Sequence, residues 1–203
     1  MKNKIVEKAT ELFLKLGFKS VTMDDIANEM AISKKTIYTH FKNKTALVEE
    51  CTCTVMHSIT DEIDKIRSQN QNPIAELFEI KKFVMYKIED EHASPQFQLQ
   101  KYYPEISESL KANHFEKMME YTRNNLRRGI EQGLYRNNLN IEFIARMYFL
   151  GIHGIKDQSL FPPVNFSVKF VNEAYLEYHL RGIVTTEGFN TLNKYIKAHQ
   201  TND

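Results

Sequence analysis

The sequence is poor in the residues that make turns, cross-links and membrane spans. Seven glycines and five prolines in 203 residues are few for an all-β sandwich, whose short strands need many turns. Only two cysteines occur, Cys51 and Cys53. One residue apart on a helix, they project roughly 200° from each other, which excludes an unstrained disulfide between them. With no cysteine framework, a reducing compartment fits. No apolar run approaches the roughly 18 residues that cross a bilayer. The N-terminal MKNKIVEKATELFLKL interleaves charge with its apolar residues, unlike a signal peptide. The expectation is a soluble, cytoplasmic protein with no membrane partner. An excess of one charge sign is missing too: 27 basic and 26 acidic side chains leave a formal +1, so any attraction to nucleic acid has to be local.

Signatures of catalysis are equally scarce. There is no Gly-rich phosphate loop, nucleophile elbow or HExxH pattern, so neither an enzyme nor a cofactor is expected. Cys53 with His57, and His153 with Asp157, are each spaced to share one helical face. Small buried cysteines and a surface histidine account for the first pair and an ordinary surface pair for the second, and no metal site is expected.

What is present is helical periodicity, in a composition (42% hydrophobic, 26% charged) that supports a packed core. Ile5, Ala9, Leu12, Phe13 and Leu16 fall on helical spacing, and Gly17 follows where a left-handed C-cap belongs. Phe18 to Val21 read as a connection. Thr22 then precedes MDDIANEM, with Asp25 three residues on, a capping box with Asp in place of Glu. Asp24 and Asp25 lie in the first turn, where the helix dipole favours negative charge. Ile26, Ala27 and Met30 supply a buried stripe. Ala31-Ile32 makes a tight turn, and Ser33 caps a third helix running through Thr36, Ile37, Tyr38 and Phe41. With Ile37 and Phe41 inward, Lys35 and Thr39 face outward, flanked by Thr36 and Tyr38. Such a polar, basic face suits a major groove. Between Glu29 and Glu49 there is no acid, while Lys34, Lys35, Lys42 and Lys44 all fall in that window beside His40, a local footprint for phosphates.

The segment GFKSVTMDDIANEMAISKKTIYTHFKNKTALV, from Gly17 to Val48, resembles the TetR family of bacterial regulators. The resemblance implies an all-α fold, with a three-helix DNA-binding domain over residues 1–46 and a larger helical domain over 47–203 for dimerisation and effector binding. Ala31 departs from the glycine common in the family's turn. Carried over position by position, the resemblance puts base or groove contacts on Lys34, Lys35, Thr36, Tyr38, Thr39 and His40. It puts phosphate contacts on Thr22, Ser33, Tyr38 and Lys44. Packing against the first helix is the alternative role for Tyr38, and capping or packing for His40.

Beyond this segment, periodicity predicts helices over Thr45 to Arg67, Ile74 to Glu91, FQLQKYY between Pro95 and Pro104, Glu105 to Gln132, Ile141 to Ser159, Ser167 to Leu180 and Phe189 to Ala198. Gly151 and Gly154 are spaced to admit a partner helix, with Tyr148, Ile152 and Ile155 beside them; Val171, Tyr175 and Tyr178 offer a comparable surface on the next helix. The resemblance implies a homodimer through these two helices; packing within one subunit explains the glycines equally. Phe83, Tyr86, Tyr102, His114, Met118, Tyr121, Met147 and His153 are candidates to line a pocket for a small apolar or aromatic effector, although ordinary core accounts for such residues as well. The expected function is repression from a pseudo-palindromic double-stranded operator, relieved by the effector. An effector-independent regulator or an activator is the alternative.

Overall fold

Few turn formers and long apolar periodicities leave helix as the element that can satisfy most of this backbone. A computed structural model describes residues 1–89 and 94–200. Among them the helices are α1 (Lys2–Leu16), α2 (Met23–Glu29), α3 (Lys34–Tyr38), α4 (Lys44–Ser68), α5 (Pro73–Glu89), α6 (Ser94–Tyr102), α7 (Pro104–Glu131), α8 (Ile141–Gly154), α9 (Val168–Ile183) and α10 (Thr186–Gln200). The fold is all-α, as expected, and β pairing among the described residues is an isolated bridge between Tyr135 and Val184. The fifth predicted helix was extended to Glu91, which lies outside the described residues.

Packing divides the chain into two compact units, Met1–Lys65 with Tyr86–Asn113, and Ile66–Met85 with His114–Asp203. In the first, Ile5, Ala9, Leu12 and Phe13 of α1 meet Ile26 and Ala27 of α2, Ile37 of α3, and Leu47, Val48 and Cys51 of α4. Leu99 of α6 and Ile106 of α7 join the same core, and Tyr103 sets its ring edge-on to Phe18 at 6.2 Å. By packing, this unit is therefore larger than the 1–46 segment carrying the motif. Leu16, expected in the buried stripe, is exposed. Gly17 has φ 87° but ψ 152°, so it leads the chain into an extended path rather than a left-handed cap. The Gln98 side chain occupies the place a Cβ would take there and accepts a hydrogen bond from the Lys19 N–H at 2.9 Å.

The turn between α2 and α3 is where the sequence strains its backbone. Ala31 sits at φ 51°, in the left-handed region that costs an L-residue roughly 1–2 kcal/mol. The turn survives because its backbone groups are paired: Ala31 N–H donates to Asn28 O at 3.0 Å and Ile32 N–H to Ala27 O at 3.0 Å.

The second unit is built on a buried polar network. Glu76 of α5 is 2% exposed. Its carboxylate accepts from Arg128 Nη1 at 2.6 Å and from Asn125 Nδ2 at 2.9 Å, both on α7. Arg128 Nη2 also donates to Gln71 O, Asn125 Nδ2 to Pro73 O, and Tyr135 Oη to Asn125 Oδ1. Every partner of the buried charge is thus satisfied, the condition under which such a network holds. Around it pack Ile74, Phe78, Met119, Leu126, Leu176, Leu180 and Leu192. A second device joins the turn after α7 to the turn after α9. Arg136 N–H donates to Ile183 O, Thr185 N–H to Leu134 O, each at 2.9 Å, and the Arg136 guanidinium donates to Gly182 O. Gly188 lies so close to the Leu134 carbonyl that a Cβ there would collide with it.

Two predicted boundaries shift for local reasons. α8 ends at Gly154 rather than Ser159, because the Asp157 carboxylate accepts from the Ser159 N–H and hydroxyl, turning the chain before Pro162-Pro163. α10 begins at Thr186 rather than Phe189, because the Thr185 hydroxyl accepts from Gly188 N–H at 3.1 Å, an N-cap that the neighbouring glycines disguise.

Two stability outcomes follow. Replacing Ala31 by Gly is expected to raise stability by about 1 kcal/mol, read as a higher urea midpoint at unchanged slope; a lower midpoint would contradict the strain. Arg128→Met strands the Glu76 carboxylate and is expected to cost about 3 kcal/mol, a fall in melting temperature of roughly 10 °C. Glu76→Leu/Arg128→Met should recover most of that loss, and a double variant no better than the single would refute the account.

Candidate functional site

The polar surface of α2 and α3 is assembled by capping. Asp25 N–H donates to Thr22 Oγ1 at 3.2 Å, while Thr22 N–H and Oγ1 donate to Asp25 Oδ2 at 2.7 and 2.8 Å. The predicted capping box is therefore present in reciprocal form. These bonds, the backbone one first and the Thr22 hydroxyl second, hold the Asp25 carboxyl below its ordinary pKa. Thr36 N–H donates to Ser33 Oγ at 3.1 Å, so Ser33 caps α3 as expected. α3 stops at Tyr38, shorter than predicted, but Phe41 N–H still donates to Ile37 O at 3.0 Å. The chain thus stays coiled far enough to bury both Ile37 and Phe41.

With those two side chains inward, Ser33, Lys34, Lys35, Tyr38, Thr39 and His40 are exposed and Thr36 is half-buried. Tyr38 is 46% exposed. The structure leaves the predicted groove residues facing solvent, Thr36 in part, and it qualifies two of them and one predicted phosphate contact. Thr39 Oγ1 donates to Thr36 O at 2.7 Å. Lys34 Nζ donates to Asp24 Oδ2 at 2.7 Å, a pairing across two helices that the sequence reading, which took Asp24 only as a dipole partner, missed. Lys44 is turned inward: its Nζ donates to Phe18 O at 2.6 Å and lies 5.8 Å from the Phe13 ring centroid, and burial lowers its pKa despite the opposing charge of Asp25. Its ammonium props the α1–α2 connection, so the phosphate contact read from the motif is not poised on that side chain. Asn43 does cap α4, accepting from Ala46 N–H at 2.9 Å.

The residues expected to line an effector pocket are not brought together. Tyr86 and Tyr102 belong to the first unit and are exposed. In the second unit Met147 and His153 are exposed, while Phe83, His114, Met118 and Tyr121 are half-buried. Arg67 stacks over the Tyr121 ring at 4.1 Å. His114 and His153 lie ring to ring at 5.4 Å, each against Phe149. Burial first, then His153 and Lys156, push the His114 pKa down to about 4. A surface cavity of about 500 Å³ is lined by Ile130, Gly133, Tyr135, Arg136, Asn137, Asn138 and Thr185, none of them expected for the pocket.

The candidate dimer residues divide. A Cβ at Gly151 would overlap the Tyr175 ring, so this glycine admits α9 of its own chain rather than a partner helix. The Tyr175 hydroxyl donates to Met147 O at 2.9 Å, and Tyr148 stacks on Tyr175. Tyr148, Ile155 and Val171 are buried within the unit and Ile152 is half-buried. Gly154 is open, and Tyr178 is 76% exposed. The large apolar side chains left outward are Phe143, Met147 and Leu150 on α8 and Val168, Phe170 and Tyr178 on α9. Their helical spacing was visible, but which side α9 would cover was not.

Comparison with known proteins agrees with this geometry. The sequence model described as "Bacterial regulatory proteins, tetR family" matches residues 5–51. Over 64 residues, 32% of this chain and 34% of the relative, the chain is 39% identical to the uncharacterized HTH-type transcriptional regulator YhgD of Bacillus subtilis. Over 72 residues, 36% of this chain and 37% of the relative, it is 35% identical to IcaR, the negative transcriptional regulator of the biofilm operon icaADBC in Staphylococcus aureus. The chain thus spans little more than a third of the curated relatives it matches. Solved structures align over nearly its whole length. SmeT, the repressor of the Stenotrophomonas maltophilia multidrug efflux pump SmeDEF, aligns over 92% of this chain and 91% of its own, with TM-score 0.66 at 16% identity. A transcriptional regulator from Cytophaga hutchinsonii aligns over 90% and 98%, with TM-score 0.71 at 20% identity. The family match lies on residues 5–51, which include the capped α2–turn–α3 unit, and the fold match extends over the helices that follow: the N-terminal segment is similar to the helix-turn-helix segment of the TetR family, and the chain has the fold of these solved regulators.

Proposed function

We propose that the protein is a cytoplasmic, dimeric transcriptional repressor that binds a pseudo-palindromic DNA operator through α3 and acts by binding rather than by catalysis. The observation that carries this is the exposed set Lys35, Tyr38, Thr39 and His40, on α3 and the turn that follows it, with Ile37 between them fully buried. Side chains fixed from behind and free in front are what reading of a major groove requires. Among the similar proteins, IcaR is a negative transcriptional regulator and SmeT a repressor. In this reading residues 1–46 contact DNA and 47–203 serve dimerisation and the effector. The effector in this reading is a small apolar or aromatic molecule taken up in the second unit.

The proposed dimer contact is a second copy of the chain on the outward faces of α8 and α9. Phe143, Met147 and Leu150 share one side of α8, and Phe170 and Tyr178 one side of α9. Contiguous exposed apolar side chains of this kind mark association surfaces, and a two-fold pair of recognition helices roughly 34–36 Å apart matches successive major grooves.

Selection from random duplexes tests the DNA reading. The wild type should enrich a two-fold-related site that Lys35→Ala/Tyr38→Ala fails to enrich; no enriched site at moderate salt, where non-specific binding is suppressed, would overturn it. Sedimentation velocity tests the dimer. The wild type should run at twice its 23.9 kDa chain mass, and Leu150→Glu/Tyr178→Glu as a folded monomer. A variant that still dimerises would move the interface elsewhere.

A further inference from the structure

We propose that Asp24 is a specificity-determining residue that acts through Lys34, holding this lysine off the phosphates of non-specific DNA while leaving it able to meet a base edge. The inference rests on the DNA-binding reading of α3.

The charge on this surface is smaller than the sequence suggests. Four lysines fall in the acid-free window between Glu29 and Glu49. Lys44 is committed to the Phe18 carbonyl. Lys34 is paired with Asp24, which enters the cationic surface from the neighbouring helix; the two side chains are 46% and 60% exposed. Lys35 and Lys42 are exposed, and among the described residues neither has an ion pair. The hydrogen bond that Lys34 donates to Asp24 raises the lysine's pKa.

An exposed pair like this adds little to stability. Its effect lies in what each ligand meets. Non-specific affinity comes almost wholly from lysine and arginine neutralising phosphates. A phosphate approaching Lys34 meets the Asp24 carboxylate beside it, and either the ion pair breaks or two anions are forced together. A base edge carries no net charge. Guanine O6 and N7 can accept from the Lys34 ammonium with the carboxylate still in place. The carboxylate therefore penalises contacts shared by all DNA and spares those that depend on sequence.

The test measures binding of full-length wild type, Asp24→Asn, Lys34→Ala and the double variant to the selected operator duplex and to a scrambled duplex across a salt series. Asp24→Asn is expected to bind scrambled DNA about tenfold more tightly, with a salt slope steeper by about one. Operator affinity should change less than about threefold, so the specificity ratio falls. In the Lys34→Ala background the same substitution should have no effect on scrambled DNA, and Asp24→Glu should restore the wild-type ratio. Circular dichroism and melting confirm that each variant is folded. An unchanged affinity for scrambled DNA, an equal gain on both duplexes, or a gain that persists without Lys34 would overturn the proposal. A wild type with no preferred duplex would be a different failure, that of the DNA-binding reading itself.

Discussion

A helix of five residues cannot hold itself, because nucleating a first turn fixes several backbone angles for one hydrogen bond. α3 is such a helix, and the first unit is organised around that constraint. Ile37 is driven into a core shared by α1, α2 and α4. Ser33 satisfies its N-terminus, and Ala31 accepts a left-handed conformation to aim it. Lys44, through the Phe18 carbonyl, fixes the start of α4 against the α1–α2 connection. Remove the burial of Ile37 and the polar side of α3 has no fixed geometry to present.

Ion pairs play opposite parts in the two units, and burial decides which. The exposed Lys34–Asp24 pair, screened by water and salt, adds little to folding, so its consequences are felt by ligands. The Glu76–Arg128 pair, with its carboxylate 2% exposed, is costly to break, on the order of 3–5 kcal/mol, and its consequences are felt by the fold. The same chemistry thus serves discrimination in one place and architecture in the other.

How much of this was legible in the sequence depends on the range of the interaction. Thr22 with Asp25 and Ser33 with Thr36 bond within three residues, and both caps could be read from spacing alone. So could the outward side of α3, because Ile37 and Phe41 define the inward one. Lys34–Asp24 spans ten residues and two helices, and no periodicity announces it. The same holds at Gly151: sequence shows a gap in the side-chain surface, but only the position of α9 reveals that Tyr175 fills it. A pocket is harder still, since Phe, Tyr and Met read alike as lining or as core. Tyr86 and Met147, grouped by type, are both exposed.

The join between the turns after α7 and α9 bears on the order in which the molecule can be made. Thr185 Oγ1 donates to Gly133 O across 52 residues of chain, and Leu134 accepts from Thr185 N–H. Neither bond can form until Thr185 has left the ribosome. The core around Ile37 needs nothing later than Leu110. Because domains fold N-terminal first at about 5–20 residues per second of synthesis, α3 is seated seconds before the second unit can close. During that interval Tyr148 and Gly151 of α8 lack the cover of Tyr175 on α9, so the growing chain is most open to aggregation after its first unit has already folded.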